Sequence, residues 1–198
     1  MSQGLLNTAA NESTSNGDPL INLRRFGQGM AVIRVFFGLI IFMNGLAKID
    51  DRFVAINLGP YHTVLINRSQ AHSILNFEVN QRQIRKNGAL GSQVPGVKWF
   101  VNHAVLKHWN VFQWVTTIIE LGAGVLLILG LASRFGALVD LGQQIFLALV
   151  YASSARWMFE QPHEYVPLIV LAVLPAGRIW GLDGVLVHLQ PRLRRWPF

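Results

Sequence analysis

Four long apolar stretches, at 30–47, 111–131, 135–153 and 164–180, constrain this chain more than any other feature. Each approaches the roughly 20 residues that carry an α-helix across the hydrocarbon core of a bilayer. Of the 198 residues, 52% are hydrophobic and only 14% are charged, against about 25% charged in an ordinary soluble domain. The predicted fold is therefore all-α, an integral membrane four-helix bundle with the lipid bilayer as its first partner. The stretch at 111–131 is the cleanest span. The stretch at 164–180 holds Pro167 and Pro175, which kink or break helices, so it reads as a broken or re-entrant span.

The rest of the chain follows from that frame. The expected layout is a disordered polar tail over 1–28, a transmembrane domain over 29–190 and a basic tail over 191–198. Residues 48–110 form a long loop between the first and second spans. Its last part, 97–109, alternates apolar and polar positions at helical spacing and is expected to lie along the interface, with Trp99, Trp109 and Trp114 in an aromatic belt. Arg24, Arg25, Arg134, Arg178, Arg192, Arg194 and Arg195 flank one side of the spans, and Lys48, Arg52, Lys98, Lys107 and Arg156 flank the other. That bias puts both termini in the cytoplasm and the long loop outside. The net charge of +7 is scattered between apolar segments rather than gathered into a run, so no nucleic-acid partner is expected. The chain has no cysteine, which removes disulfides, iron–sulfur ligation and thiol nucleophiles.

Charges within a span cost about 2.5–3.5 kcal/mol at the helix centre on insertion scales, so Arg34, Glu120 and Asp140 each need a partner. With the first span starting at Met30 and the third at Phe135, Arg34 and Asp140 lie about 6 Å and 8 Å inside the same edge at roughly 1.5 Å per residue. They are expected to pair, either as a charged site or as a buried salt bridge that fixes helix register. Glu120 sits about 16 Å from Leu131, near mid-span, where this register puts no cation level with it. Its expected neighbours are Gln143 and Gln144. Burial without a cation favours the neutral acid, which can exchange a proton or simply pack by hydrogen bonding.

Gly38 and Gly45 share the face of Arg34, and Gly122, Gly124 and Gly130 give the second span a small side. Such residues let helix backbones approach closely in lipid. His62, His72, His103, His108, His163 and His188 all fall outside the four stretches, which argues against a haem held between spans. The spacing of His103, His108 and His163 does not match a helical metal site, and no metal is expected.

Three motifs in order carry a family resemblance. They are Arg34-x3-Gly38 leading to Asn44-Gly45-Leu46-Ala47-Lys48, then Glu120-Leu-Gly122-Ala-Gly124 with Leu126-Leu-Ile-Leu-Gly130-Leu-Ala-Ser-Arg134, and Gly177-Arg-Ile-Trp-Gly181-Leu182-Asp183. With them the chain resembles the DoxX/DoxD-like membrane proteins, some of which resemble the small membrane subunit of thiosulfate:quinone oxidoreductase. The resemblance implies a four-helix subunit of a quinone-linked oxidoreductase or respiratory complex, in a bacterial or archaeal cytoplasmic membrane, with other subunits as partners. Within it, Glu120 is the candidate catalytic proton carrier, and Arg34, Asp140, Gln143 and Gln144 are the candidate residues toward a quinone. A non-catalytic scaffold docking a larger complex is the alternative, and a small solute carrier a third.

Overall fold

The computed structural model describes residues 23–58, 61–84, 88–154, 162–195 and 197–198. The expected disordered tail falls mostly on residues before 23, and Arg156 likewise lies outside the described residues.

The chain is mainly helical. Helix α1 is Leu23–Ala47, α2 is Arg68–Asn76, α3 is Val97–Phe100, α4 is Trp109–Leu129, α5 is Ser133–Tyr151, α6 is Pro162–Val173 and α7 is Leu182–Leu189. The long loop is folded. It opens with an antiparallel hairpin, β1 (Ala55–Leu58) on β2 (Tyr61–Val64), in a register from Ala55↔Val64 to Leu58↔Tyr61. A reciprocal cap starts α2, in which the Gln70 N–H donates to Asn67 Oδ1 and the Asn67 N–H donates to Gln70 Oε1. Wide helical turns at Phe77–Gln81 and Val101–Leu106 extend α2 and α3.

Two bounds differ from the sequence reading. Helix α1 begins at Leu23, so the end of the expected tail is helical. Helix α6 runs through Pro167 but stops at Val173, and the chain past Pro175 makes only a short turn at Ala176–Arg178. Proline has no N–H to continue the helical ladder and disfavours helical geometry in the residue before it, which ends the apolar run early.

Helices α1 and α4 cross antiparallel and in close contact, because glycines remove the side chains between them. A Cβ added at Gly45 would lie 2.8 Å from Leu121 Cγ, and one at Gly124 would lie 2.7 Å from Phe42 Cβ. These contacts fix a stagger. Arg34 is level with Gly130 just past the end of α4, whereas the end of α1 is level with Glu120 in its middle. The first eleven residues of α4 therefore project beyond α1, about 16 Å at the helical rise.

That stagger produces two cores. One joins α1, α4, α5 and α6 through Met30, Ile41, Leu127, Leu141, Leu168 and Leu171. The other joins the folded loop to α4 and α5 through Leu75, Val79, Val101, Val105 and Val150, with Phe112 and Phe146 against it. The apolar face of the α3 segment thus turns into the protein, while Trp99 points outward.

Outside the cores the usual order of a soluble protein is inverted. Helix α1 buries Arg34 and exposes Val32, Phe36, Leu39 and Ile40; α4 buries Glu120 and exposes Val111, Ile118 and Leu129. Polar groups inside and large apolar groups outside suit a lipid surround. Helices Leu23–Ala47 and Trp109–Leu129 are each long and apolar enough to cross a membrane.

Candidate functional site

Where the two cores meet, Lys48 turns off the end of α1 into the protein. Its Nζ donates to Glu120 Oε2 at 2.6 Å and to Oε1 at 2.9 Å, and it lies 3.5 Å from the Asn44 carbonyl oxygen. From α5, Gln143 Nε2 donates to Glu120 Oε1 at 2.9 Å. The side chains of Lys48 and Glu120 are each only 9% exposed. An ion pair this deep offsets its desolvation only when the geometry is good and the remaining lone pairs are satisfied. Here Gln143 supplies that further donor.

The expected Gln143 neighbour of Glu120 is present, but the expectation that no cation stands level with the carboxyl is corrected. Counting the first span from Met30 to Ala47 put Lys48 at an outer flank. The glycine contacts instead slide α1 along α4 until its last turn reaches mid-helix, and Lys48 follows it inside.

Beside the pair lies a cavity of about 1010 Å³. Its walls are mainly apolar, with Phe112, Val115 and Ile119 from α4, Phe146 and Leu147 from α5, and Phe77 beyond α2, while Glu78, Arg82 and Glu164 also border it. Lys48, Glu120, Gln143 and Gln144 form a polar patch in that wall. Gln143 Oε1 is buried and accepts no hydrogen bond. Asp140 is wholly buried, close enough to feel Glu120, Lys48 and Glu164 electrostatically, and within reach of the Gln144 side chain one turn along its own helix.

Arg34 does not meet Asp140, which corrects the expected pair. Its Nη2 donates to the Trp180 carbonyl at 2.9 Å, and the carboxylate that acts on it is Asp183. The reason is again register. Arg34 is level with Gly130, while Asp140 lies seven residues into α5, about 10 Å further along.

Asp183 holds this end of the bundle together. It accepts from the Ala132 N–H at 2.6 Å, the Ser133 N–H at 3.1 Å and Ser133 Oγ at 2.9 Å, while its own N–H donates to the Gly130 carbonyl at 2.8 Å. Gly130 is needed twice over. It closes α4 with φ +63, and a Cβ there would lie 1.7 Å from Arg34 Nη1. Ala132 and Trp180 also adopt positive φ, at 44 and 53, and both backbones are bonded into this cluster. Asp183 and Ser133 were visible in the third and second motifs, but nothing in the sequence tied one to the other across 50 positions.

The motifs that carried the family resemblance therefore meet at two places. Arg34, 130–133 and 177–183 form the Asp183 cluster, and Asn44, Lys48 and Glu120 form the cavity wall. Residues 86–153 match the family model described as DoxX. That stretch holds Glu120, Asp140, Gln143 and Gln144, while Lys48 and the rest of α1 lie outside it. No curated protein and no solved structure matches the chain.

Proposed function

Taking the chain as a DoxX-like membrane protein, we propose that it is the membrane subunit of a quinone-linked oxidoreductase, and that the cavity beside Lys48, Glu120 and Gln143 receives the quinone ring. The observation that carries this reading is a buried, hydrogen-bonding ion pair set in the wall of a large, mainly apolar cavity. A quinone is a flat apolar ring with oxygens at its edge, and it asks for that combination. Ligand sites of this size are mostly apolar with a few placed polar groups.

A bound quinone supplies two-electron redox chemistry coupled to protons at its oxygens. The chain's own residues do the remaining work. The aromatic walls from α4 and α5 orient the ring and exclude water. Gln143 Oε1, with no partner of its own, accepts from a hydroxyl in the cavity. Lys48 Nζ is the cationic donor of the patch, and Glu120 is the group able to take up or return a proton there. Arg34, once a candidate for the same site, belongs to the Asp183 cluster; Asp140 lies behind the wall, not on it. In this reading α1, α4 and α5 span the bilayer, the 12-residue α6 enters it as a broken or re-entrant segment, the termini are cytoplasmic and the folded loop faces outward.

The test is binding of a short-tail quinone to the purified protein, followed by quenching of tryptophan fluorescence, since Trp109 lines the cavity. Saturable quenching is expected, and Gln143→Leu should weaken it about tenfold, the cost of about one hydrogen bond. Linear, non-saturating quenching in both proteins would rule the cavity out as a quinone site.

A further inference from the structure

A second opening reaches Lys48, one member of the same ion pair. Against the folded loop lies a polar pocket of about 920 Å³, lined by Asp50, Asp51, Asn67, Arg68, His72 and Gln113. Lys48, Ser73 and Trp109 line both this pocket and the apolar cavity. The rim is fixed by side-chain contacts. Asn67 Nδ2 donates to Asp51 Oδ1 at 3.0 Å, the Arg68 guanidinium sits 4.5 Å from the Trp114 ring, and His72 stands edge-on to Trp109. A pocket this roomy with many polar partners is one that water fills. Glu120 borders only the apolar cavity. Lys48 is thus the one member of the pair that faces both.

We propose that the polar pocket is an aqueous vestibule to the Lys48–Glu120 pair, and that protons taken up or released in the apolar cavity travel to and from water through Lys48. In the outward direction, the Lys48 ammonium gives a proton to a vestibule water, breaking one N–H bond and leaving a neutral amine. Glu120, protonated from the cavity side, returns a proton to that amine, so that its O–H bond breaks and an N–H bond forms. The pair ends as ammonium and carboxylate, with one proton moved from cavity to water. The charged rim also suits this role, since Asp50 and Asp51 offset Lys48 and Arg68, and His72 stands at the wall. The direction of traffic rests on the quinone reading above; the vestibule itself does not.

The absence of cysteine from the chain makes the test direct. In Lys48→Cys, the small charged reagent 2-aminoethyl methanethiosulfonate rebuilds an ammonium beside Glu120 if it can reach position 48 from water. The variant should melt below the parent protein, and reaction should restore most of the lost melting temperature. The second arm compares Ser73→Cys, on the shared wall, with Thr116→Cys, which lines the apolar cavity alone. The charged reagent should modify the former at least about tenfold faster, because entry to an apolar space strips its hydration. Should Lys48→Cys fail to fold, this ratio decides by itself. Equal rates at the two positions, or a folded Lys48→Cys that resists the reagent, would overturn the vestibule. A short-tail quinone should slow modification of Thr116→Cys and leave Gln113→Cys untouched. If it slows neither while the vestibule results hold, the quinone reading fails and the aqueous access stands.

Discussion

Replacing Lys48 by Met should destabilise the protein more than removing the whole ion pair. In Lys48→Met the Glu120 carboxylate keeps only Gln143 as a partner, in a position where its side chain is 9% exposed. Breaking a buried pair by deleting one partner costs about 3–5 kcal/mol, because an uncompensated charge is left behind. Glu120→Leu should cost a similar amount by stranding the ammonium. The double variant removes both charges, and replacing a buried pair by apolar groups is often neutral. What remains is the Gln143 amide, which loses its acceptor at 2.9 Å, a penalty of about 1–3 kcal/mol for a buried group left unsatisfied. The double variant should thus lose about 1–3 kcal/mol, no more than either single one. The assay is reversible unfolding by sodium dodecyl sulfate titration in mixed micelles, on all four proteins of the cycle. Losses that simply add would show that Lys48 and Glu120 act independently, and would refute the pair as the organising contact of the site.

Gly130→Ala should disrupt the opposite end of the bundle, since it adds a methyl 1.7 Å from Arg34 Nη1 at a residue with φ +63; an expected loss of about 2–4 kcal/mol sums backbone strain and overpacking, and unfolding under the same titration checks it. Ser133→Ala takes a hydroxyl from Asp183 and an acceptor from the Gly177 N–H, so about 1–3 kcal/mol should go without loss of quinone quenching. For orientation, Ser69→Cys, exposed on the folded loop, should react with a membrane-impermeant thiol reagent in intact cells, whereas protection there until the cells are opened would invert the topology.

How much of this was legible in the sequence depends on the range over which each signal acts. The apolar runs gave α1, α4 and α5 to within a few residues, apart from the earlier start of α1, because these helices carry apolar residues on their outer as well as their inner faces. Glu120 and Gln143 were legible as neighbours, being polar residues that had to turn inward from consecutive helices. Lys48 was not. Whether a lysine just past a span lies at a flank or inside is settled by how far one helix slides along another, and that is set by Gly45 meeting Leu121 and Gly124 meeting Phe42. Periodicity on a single helix carries no such register. The Arg34–Asp140 pair failed for the same reason, with depths counted from assumed starts while the true level mark was Gly130. Within the folded loop only 97–109 shows a helical period; the second core joins its Val101 and Val105 to Val150 of α5 and to Leu75 and Val79, which stand on a stretch too short to show one.

The measurement that most directly tests the central claim is photo-crosslinking with an azido-quinone, with the modified residues located by mass spectrometry. If the cavity beside the Lys48–Glu120 pair is the quinone site, labelling should be saturable, compete with unlabelled short-tail quinone, and fall on residues of that wall such as Phe112, Thr116, Gln143 and Phe146. Labelling spread over lipid-facing positions such as Phe36, Ile118 and Val173, undiminished by competitor, would contradict it.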